Sequence, residues 1–165
     1  MDPLTITLTV EEIFKEVDIR TYYYGEKLKQ GDTSAALLQT SSDDYDAMFT
    51  YLDTALNDVC GYALKKVRAF DFSVDHEGES ITLSFLPYFR IPKQHAVIVL
   101  RLLRKSISDY LVNRCIEEWL TTVQPELAVT YTAKNSQLLD AVLKHIGMIS
   151  GQRQVRRRAT NLAGI

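Results

Sequence analysis

The sequence predicts a mainly α protein with a β-hairpin (α+β), arranged as a helical bundle around one long central helix. Helices are favoured by an acid-capped amphipathic segment after Ser41 and by the stretch from Pro92 to Thr122, which contains no helix breaker. Alternation of apolar and polar residues over 69–86 predicts the hairpin. At 165 residues the chain is expected to form one domain over residues 1–147, followed by an extended basic C-terminal tail over residues 148–165.

The N-terminal residues 4–8 alternate leucine and isoleucine with threonine, which predicts a short strand or an extended arm. Thr9 and Glu12 then have the spacing of a capping box, so a helix is expected to begin at Val10. Gly25 is expected to end this helix early, with Gly31 as the later alternative.

The second helix is predicted to begin after Ser41 or Ser42. Asp43 and Asp44 occupy its first turn, where the helix dipole favours negative charge. Its apolar residues form a nearly straight stripe, so one side of this helix should be buried. The stripe consists of Tyr45, Met48, Phe49, Leu52, Leu56, Val59 and Ala63.

At Ala69 the hydrophobic period changes from that of a helix to that of a strand. Phenylalanine and valine alternate with polar residues over 70–74, the sequence His-Glu-Gly supplies a turn, and the alternation resumes over 81–85. Pro87 and Pro92 follow closely and predict a rigid extended connector.

The segment after Pro92 has an apolar stripe that changes sides. Up to Tyr110 the apolar residues cluster on one face, and after Leu111 they occupy the former polar face, nearly half a turn away. Two accounts stay open. Either the helix breaks near Leu111 to Asn113 and both halves serve one core, or a continuous helix packs its second half against a different body.

The last part of the domain is predicted to contain a third strand and a final helix. Pro125 is expected to end the long helix, and residues 127–131 alternate as a strand would. Asn135 is the expected N-cap of the last helix, and Gly147 is placed as the residue that follows it.

Charge is distributed unevenly along the chain. The whole chain has 19 basic and 21 acidic residues, whereas residues 151–165 contain four arginines and no acid. Three interpretations of this tail stay open: a disordered solubilising terminus, a nucleic-acid arm, or an extended segment that orders on a protein partner. The residues expected to bind a partner are Arg153, Arg156, Arg157, Arg158, Leu162 and Ile165.

No local motif for nucleotide binding, serine hydrolysis or zinc proteolysis occurs in the sequence. His76, His95 and His145 have no neighbours at the spacing of metal ligands, so we expect no catalytic, cofactor-binding or metal-binding residues and no cofactors. Glu117 and Glu118 are adjacent, a poor arrangement for a carboxylate pair, and are interpreted as a solvated surface.

Cys60 and Cys115 fall in predicted helices and are interpreted as plain buried thiols, since two cysteines make no disulfide framework. No apolar run approaches the ~18 residues of a membrane span, and the first residues lack the basic region of a secretory signal. A protein that is intracellular where it is made, without a membrane partner, is therefore expected.

One family resemblance rests on the order of helices. The acid-capped helix "SSDDYDAMFTYLDTALNDV", the long helix introduced by "RIPKQHAVIVLRLLRKSISDYLVNR" and the C-terminal tail together resemble the head-tail connector, or adaptor, proteins of tailed bacteriophages. The resemblance covers roughly residues 41–165. The hairpin and the possible third strand contain more β structure than the helical core of that family needs.

The resemblance implies a subunit of a homo-oligomeric ring in the virion neck, which docks on a portal-like ring on one side and on neck or tail proteins on the other. It also implies that the tail inserts into a partner. Tyrosine is enriched in interfaces, and Tyr22 and Tyr23 lie off the helix face. Trp119 and Leu120 lie on the second apolar face of the long helix, so the expected subunit interface consists of Tyr22, Tyr23, Trp119 and Leu120.

The leading hypothesis is thus a non-enzymatic structural subunit, a phage head-tail connector. The alternative is a cytoplasmic nucleic-acid-binding accessory protein that uses the arginine tail. A small enzyme remains a third hypothesis, which requires a polar pocket assembled from residues distant in sequence.

Overall fold

The computed structural model describes residues 3–28, 39–75, 79–88 and 90–149. These residues form four α-helices, one short 3₁₀ turn at Ser42–Asp44 and a three-stranded antiparallel sheet. In chain order the elements are β1 (Leu4–Thr9), α1 (Val10–Leu28), α2 (Tyr45–Ala63), β2 (Ala69–Asp75), β3 (Ser80–Leu86), α3 (Lys93–Val123) and α4 (Pro125–Ile149). The predicted class, mainly α with a β-hairpin, is confirmed.

The hairpin β2–β3 forms over the predicted residues, and β1 joins it as a third strand. The strand order is β1-β3-β2, so β3 is central, and Phe85 lies opposite both Leu4 and Phe70. Because side chains alternate between the two faces of a sheet, the alternating apolar residues of the three strands lie on one face, which joins the helical core, whereas Ala69 and Leu86 lie on the other. The N-terminal segment is therefore a paired strand.

α1 begins at Val10, as the capping spacing predicts, and its first backbone N–H donates to the carbonyl of Glu79 across 2.7 Å. Ile13, Phe14 and Val17 are buried in the core. The helix does not end at Gly25 but continues to Leu28. Glycine lowers helix propensity without forbidding a helix. Gly25 is buried, and α1 continues past it.

α2 follows a capping box in which the Asp44 carboxylate accepts hydrogen bonds from the Ser41 backbone N–H at 2.9 Å and from the Ser41 hydroxyl at 3.1 Å. The predicted stripe of this helix faces the core, with Met48, Leu52 and Leu56 fully buried. The N-terminal cap and the apolar period thus agree with the structure.

α3 is one continuous helix of 31 residues, which corresponds to about 46 Å at 1.5 Å per residue. It does not break near Leu111, which is fully buried. This helix is the centre of the fold, since it contacts α1, α2, α4 and β1.

The apolar residues of both halves of α3 pack into one core. α4 runs antiparallel to α3 and packs along it, with His145 beside Ser106 and Thr132 beside Glu117. Val112, Cys115 and Ile116, on the second apolar face, are buried in the same chain, so no separate body is needed to cover them.

The predicted third strand over residues 127–131 is wrong, because these residues belong to α4. Pro125 begins this helix, at the position where a missing N–H costs nothing. Asn135, the predicted N-cap, lies in the middle of α4, and Gly147, predicted to follow the last helix, lies inside it. A helix forms here in place of a strand because its apolar side packs against α3 and completes the core.

Candidate functional site

A cluster of charged side chains lies where α2, α3 and α4 meet, and Arg114 on α3 is at its centre. The guanidinium contacts the carboxylates of Asp58 at 3.5 Å, Glu117 at 2.8 Å and Glu118 at 2.6 Å. Residues 114, 117 and 118 share one helix face because they are three and four positions apart. Three carboxylates thus surround one cation.

Glu117 is the most enclosed of these carboxylates, at 8% exposure. It accepts hydrogen bonds from the Thr132 hydroxyl at 2.6 Å and from the Asn135 amide at 2.5 Å, in addition to Arg114. Burial acts to raise the pKa of Glu117, but these hydrogen bonds and the Arg114 charge outweigh it, so the pKa lies below its usual value. The carboxylate is held in its charged form.

Tyr110 connects this cluster to α2 by donating its hydroxyl to the Asp58 carboxylate across 3.0 Å. Burial, followed by the negative charge of Asp58, raises the pKa of Tyr110 well above its usual value. The phenol therefore remains protonated and acts as a hydrogen-bond donor.

Asn135 on α4 is 5% exposed, and its amide nitrogen also donates to the backbone carbonyl of Asn113 across 3.2 Å. The Oδ1 atoms of Asn113 and Asn135 are buried and have no hydrogen-bond partner among the residues that the structure describes. A buried acceptor without a donor is costly, and such an atom calls for an explanation such as a bound water, an ion or a functional role.

These groups line a cavity that we call the acidic cleft, with a volume of about 180 Å³. That is room for several water molecules, each of which takes up about 30 Å³ in liquid water. The lining residues are Asp58, Tyr110, Arg114, Glu117, Thr132, Asn135, Ser136 and Leu139.

The chemistry of the acidic cleft suits binding better than proton transfer. Glu117 has a lowered pKa and Tyr110 a raised one, and Arg114 also has a raised pKa because Glu117 and Glu118 more than offset the effect of its burial. An effective general acid or base has a pKa near the working pH. None of these three pKa values is shifted toward neutral pH.

A serine and a histidine also meet between α3 and α4, with His145 Nδ1 and Ser106 Oγ 3.0 Å apart. Burial and the nearby Lys144 lower the pKa of His145. However, Ser106 is buried and its hydroxyl donates to the carbonyl of Leu103, so its oxygen is not open to a substrate. The pair is an interhelical hydrogen bond.

A second surface of interest lies on α1 and is formed by Ile19, Tyr22 and Tyr23, which we call the tyrosine surface. Tyr22 is 44% and Tyr23 is 62% exposed, and their rings lie 5.7 Å apart at 68°. Together with Asp18 and Gln39 these residues line a shallow depression of about 300 Å³. The predicted exposure of both tyrosines off the core face is thus observed.

The depression is held in shape by hydrogen bonds to Asp18. Its carboxylate accepts from the hydroxyl of Thr40 and from that of Tyr45 at 3.1 Å, and Thr40 also contacts Thr21 at 3.2 Å. These bonds attach residues 39–40 and the start of α2 to α1. The tyrosine surface therefore stands on a rigid base.

The other residues predicted for the subunit interface are placed differently. Trp119 is half-buried against the core, and Leu120 is 1% exposed, inside the core of its own chain. Leu120 is therefore not available to another subunit, because it packs inside the core of its own chain. The predicted partner-binding residues Arg153, Arg156, Arg157, Arg158, Leu162 and Ile165 lie outside the described residues.

Sequence reasoning missed the acidic cleft for two reasons. Glu117 and Glu118 were interpreted as a solvated surface because adjacent residues do not share a helix face, whereas Glu117 is in fact buried and Glu118 is more exposed. Thr132 and Asn135 are three residues apart and face Glu117 only in a helix, whereas a strand was predicted up to residue 131. Polar residues at helical spacing, at 110, 114 and 117, were the available clue.

Within the described part of the chain, no group of three or more histidine, cysteine, aspartate or glutamate side chains is arranged to hold a metal ion. None of the helices described combines the length and the apolar character needed to cross a membrane. Comparisons with models of protein families, with curated proteins and with solved structures found no match.

Proposed function

We propose that this chain is a non-enzymatic structural subunit of a homo-oligomeric assembly, of the head-tail connector kind that its order of helices resembles. The tyrosine surface is the observation that carries the proposal. Ile19, Tyr22 and Tyr23 remain exposed on α1 although the core of the chain is complete without them.

A paired aromatic surface on a rigid helix suits protein association. Tyrosine contributes a large contact area at a low entropic cost, and its hydroxyl can find a polar partner at the edge of an interface. The depression beside Tyr22 and Tyr23 offers a place where a side chain of a neighbouring subunit fits.

A second exposed apolar group supports a ring rather than a simple dimer. Val97, Ile98 and Leu102 are exposed on the first half of α3, on a different helix from the tyrosine surface. A closed ring needs two different complementary surfaces on each subunit, whereas a two-fold dimer needs one. In the proposed ring, the α3 group of one subunit meets the tyrosine surface of the next.

The arginine tail has a place in the same proposal. Arg153, Arg156, Arg157 and Arg158 supply positive charge to an otherwise acidic chain and would dock on acidic groups of a portal-like, neck or tail protein. Under the nucleic-acid hypothesis the same arginines bind phosphates instead. That hypothesis predicts DNA or RNA binding that weakens steeply as the salt concentration rises.

The test is the mass of the protein in solution over a range of concentrations, alone and with candidate virion proteins. We expect an oligomer that the double variant Tyr22→Ser, Tyr23→Ser weakens at least about tenfold in dissociation constant, because buried interface tyrosines are frequent hot spots. Tyr62→Ser is the matched control, since Tyr62 is also an exposed helical tyrosine but lies on α2.

A monomer under all conditions, partners included, would contradict the proposal. Equal effects of the α1 and α2 variants would remove the tyrosine surface as its basis. DNA or RNA binding that weakens steeply with salt and disappears when the four arginines become glutamine would favour the nucleic-acid hypothesis instead.

A further inference from the structure

The acidic cleft has more acceptors than donors. Asp58, Glu117 and Glu118 surround the single guanidinium of Arg114, so the contacting groups have a formal excess of two negative charges. Tyr110 and Thr132 already donate their hydroxyl hydrogens to Asp58 and Glu117. A ligand that enters this cleft therefore meets an environment that favours positive charge and N–H donors.

One polar atom at the cleft is unsatisfied. Asn135 lines the acidic cleft, is 5% exposed and has an Oδ1 without a partner among the described residues. Its amide nitrogen is used twice, toward Asn113 and Glu117, so the amide cannot turn over without losing both bonds. The free Oδ1 is consequently a fixed acceptor, and because the atom itself is buried, a ligand donor reaches it only when the lining side chains move apart.

We propose that the acidic cleft binds a guanidinium group supplied by the arginine-rich segment 153–158 of this protein. A guanidinium presents five N–H donors in a planar fork, which can serve a carboxylate and a neighbouring amide oxygen at the same time. The segment contains Arg153, Arg156, Arg157 and Arg158 and no acid, so its charge is complementary to that of the cleft.

The chain is long enough for this contact. Ser136, which lines the cleft, precedes the end of α4 at Ile149 by about 20 Å along the helix axis. Arg156 lies seven residues beyond Ile149, and seven residues can span at most about 25 Å. An arginine of the same chain can thus return to the cleft, and so can one of a second copy, which makes the inference independent of the proposed ring.

Disulfide trapping in the full chain tests this inference. One cysteine replaces Ser136 at the cleft and another replaces Ala159, which follows the four arginines and leaves them all in place. The background contains Cys60→Ser, because Cys60 is half-buried, and keeps the buried Cys115. We expect the Ser136→Cys, Ala159→Cys pair to cross-link at least about tenfold faster than its matched control, as a specific contact raises the effective concentration.

The matched control is the Lys134→Cys, Ala159→Cys pair. Lys134 is exposed and only two residues from Ser136, but two residues turn an α-helix by about 200°, so it faces another side of α4. Positions 134 and 136 are nearly equally far from Ala159 along the chain, and they differ in the side of α4 that they face.

Two further variants test the role of charge. Changing Arg153, Arg156, Arg157 and Arg158 to glutamine, or Asp58 to asparagine, should bring the fast cross-linking down toward the control rate, and so should high salt. Equal rates for positions 134 and 136, or a fast rate that ignores both changes, would overturn the inference.

The source of the arginine follows from the size of the product. Cross-linking within one chain gives a monomer on a non-reducing gel, whereas mixing the single Ser136→Cys and Ala159→Cys proteins gives a dimer if the segment comes from a second copy. Either product, formed faster than its control, supports the binding of the segment in the cleft. Neither depends on the tyrosine surface, so the Tyr22→Ser, Tyr23→Ser protein should trap equally well if the contact lies within one chain.

Discussion

Glu117 on α3 accepts a hydrogen bond from Thr132 on α4 across 2.6 Å, so a polar contact joins the two helices in addition to their apolar ones. Asn135 lies beside this bond, and its amide nitrogen donates to Glu117 and to the backbone carbonyl of Asn113. Polar groups of this kind satisfy one another only in one register, so they determine how α4 lies along α3.

Removing the buried carboxylate should destabilise the protein strongly. Glu117→Ala leaves Arg114 and Asn135 without their shared acceptor, and we expect a loss of about 3 kcal/mol in the free energy of unfolding. Glu118→Ala is the control, since Glu118 contacts the same Arg114 from a more exposed position and should cost less than about 1 kcal/mol. Urea unfolding measures both, and equal losses would contradict the special role of Glu117.

The stability contributed by Glu117 should depend on pH in the acid range. Its pKa in the folded protein lies below the ordinary value of 4.5, so the unfolded chain binds the proton more readily. This contribution is therefore complete above the unfolded pKa and is lost as the pH falls through the folded pKa. Urea midpoints measured from about pH 6 to about pH 3 should fall less steeply for Glu117→Gln than for the native chain. Parallel curves would show that other groups account for the acid sensitivity.

Gly61 offers a stabilising substitution. It lies inside α2, and a Cβ added there meets nothing within 4 Å. Because glycine is a poor helix former, Gly61→Ala should raise the free energy of unfolding by about 0.5–1 kcal/mol. Gly147→Ala in α4, where a Cβ also has open space, should act in the same direction. Thermal or urea unfolding checks this, and a loss of stability in both variants would contradict the helical placement.

The two cysteines should differ in reactivity. Burial raises the pKa of Cys115 to about 12, whereas Cys60 is half-buried. The thiolate is the form that reacts, so iodoacetamide at about pH 8 should modify Cys60 and leave Cys115 intact in the folded protein. Peptide mass measurement gives the extent at each site, and modification of both in urea is the control. Fast labelling of native Cys115 would contradict its burial in the core.

The elements that sequence analysis predicted correctly are those whose own residues contain the necessary information. The capping box at Ser41 and the apolar period that follows it are local, as are the two alternating segments of the hairpin. The predicted turn at residues 76–78 lies outside the described residues. The helix from Val10 also begins where its capping residues place it. Such features need no knowledge of the rest of the fold.

The elements that were missed depend on a neighbour. Leu127 and Tyr131 are four residues apart and fit a helix as well as a strand, and only contact with α3 decides between the two. The same contact brings Thr132 and Asn135 to Glu117, which is why no carboxylate site was visible in the sequence.

The sequence by itself determined the class of fold, the cap of α2, the hairpin and the exposure of Tyr22 and Tyr23, because short-range periodicity and capping chemistry decide these. Only the tertiary structure decided that α3 is continuous, that α4 replaces the expected third strand and that Leu120 is internal. It also assembled the acidic cleft from three helices. The physical reason is that burial and hydrogen-bond partners are properties of pairs of elements distant in the chain, and a local pattern records only one member of each pair.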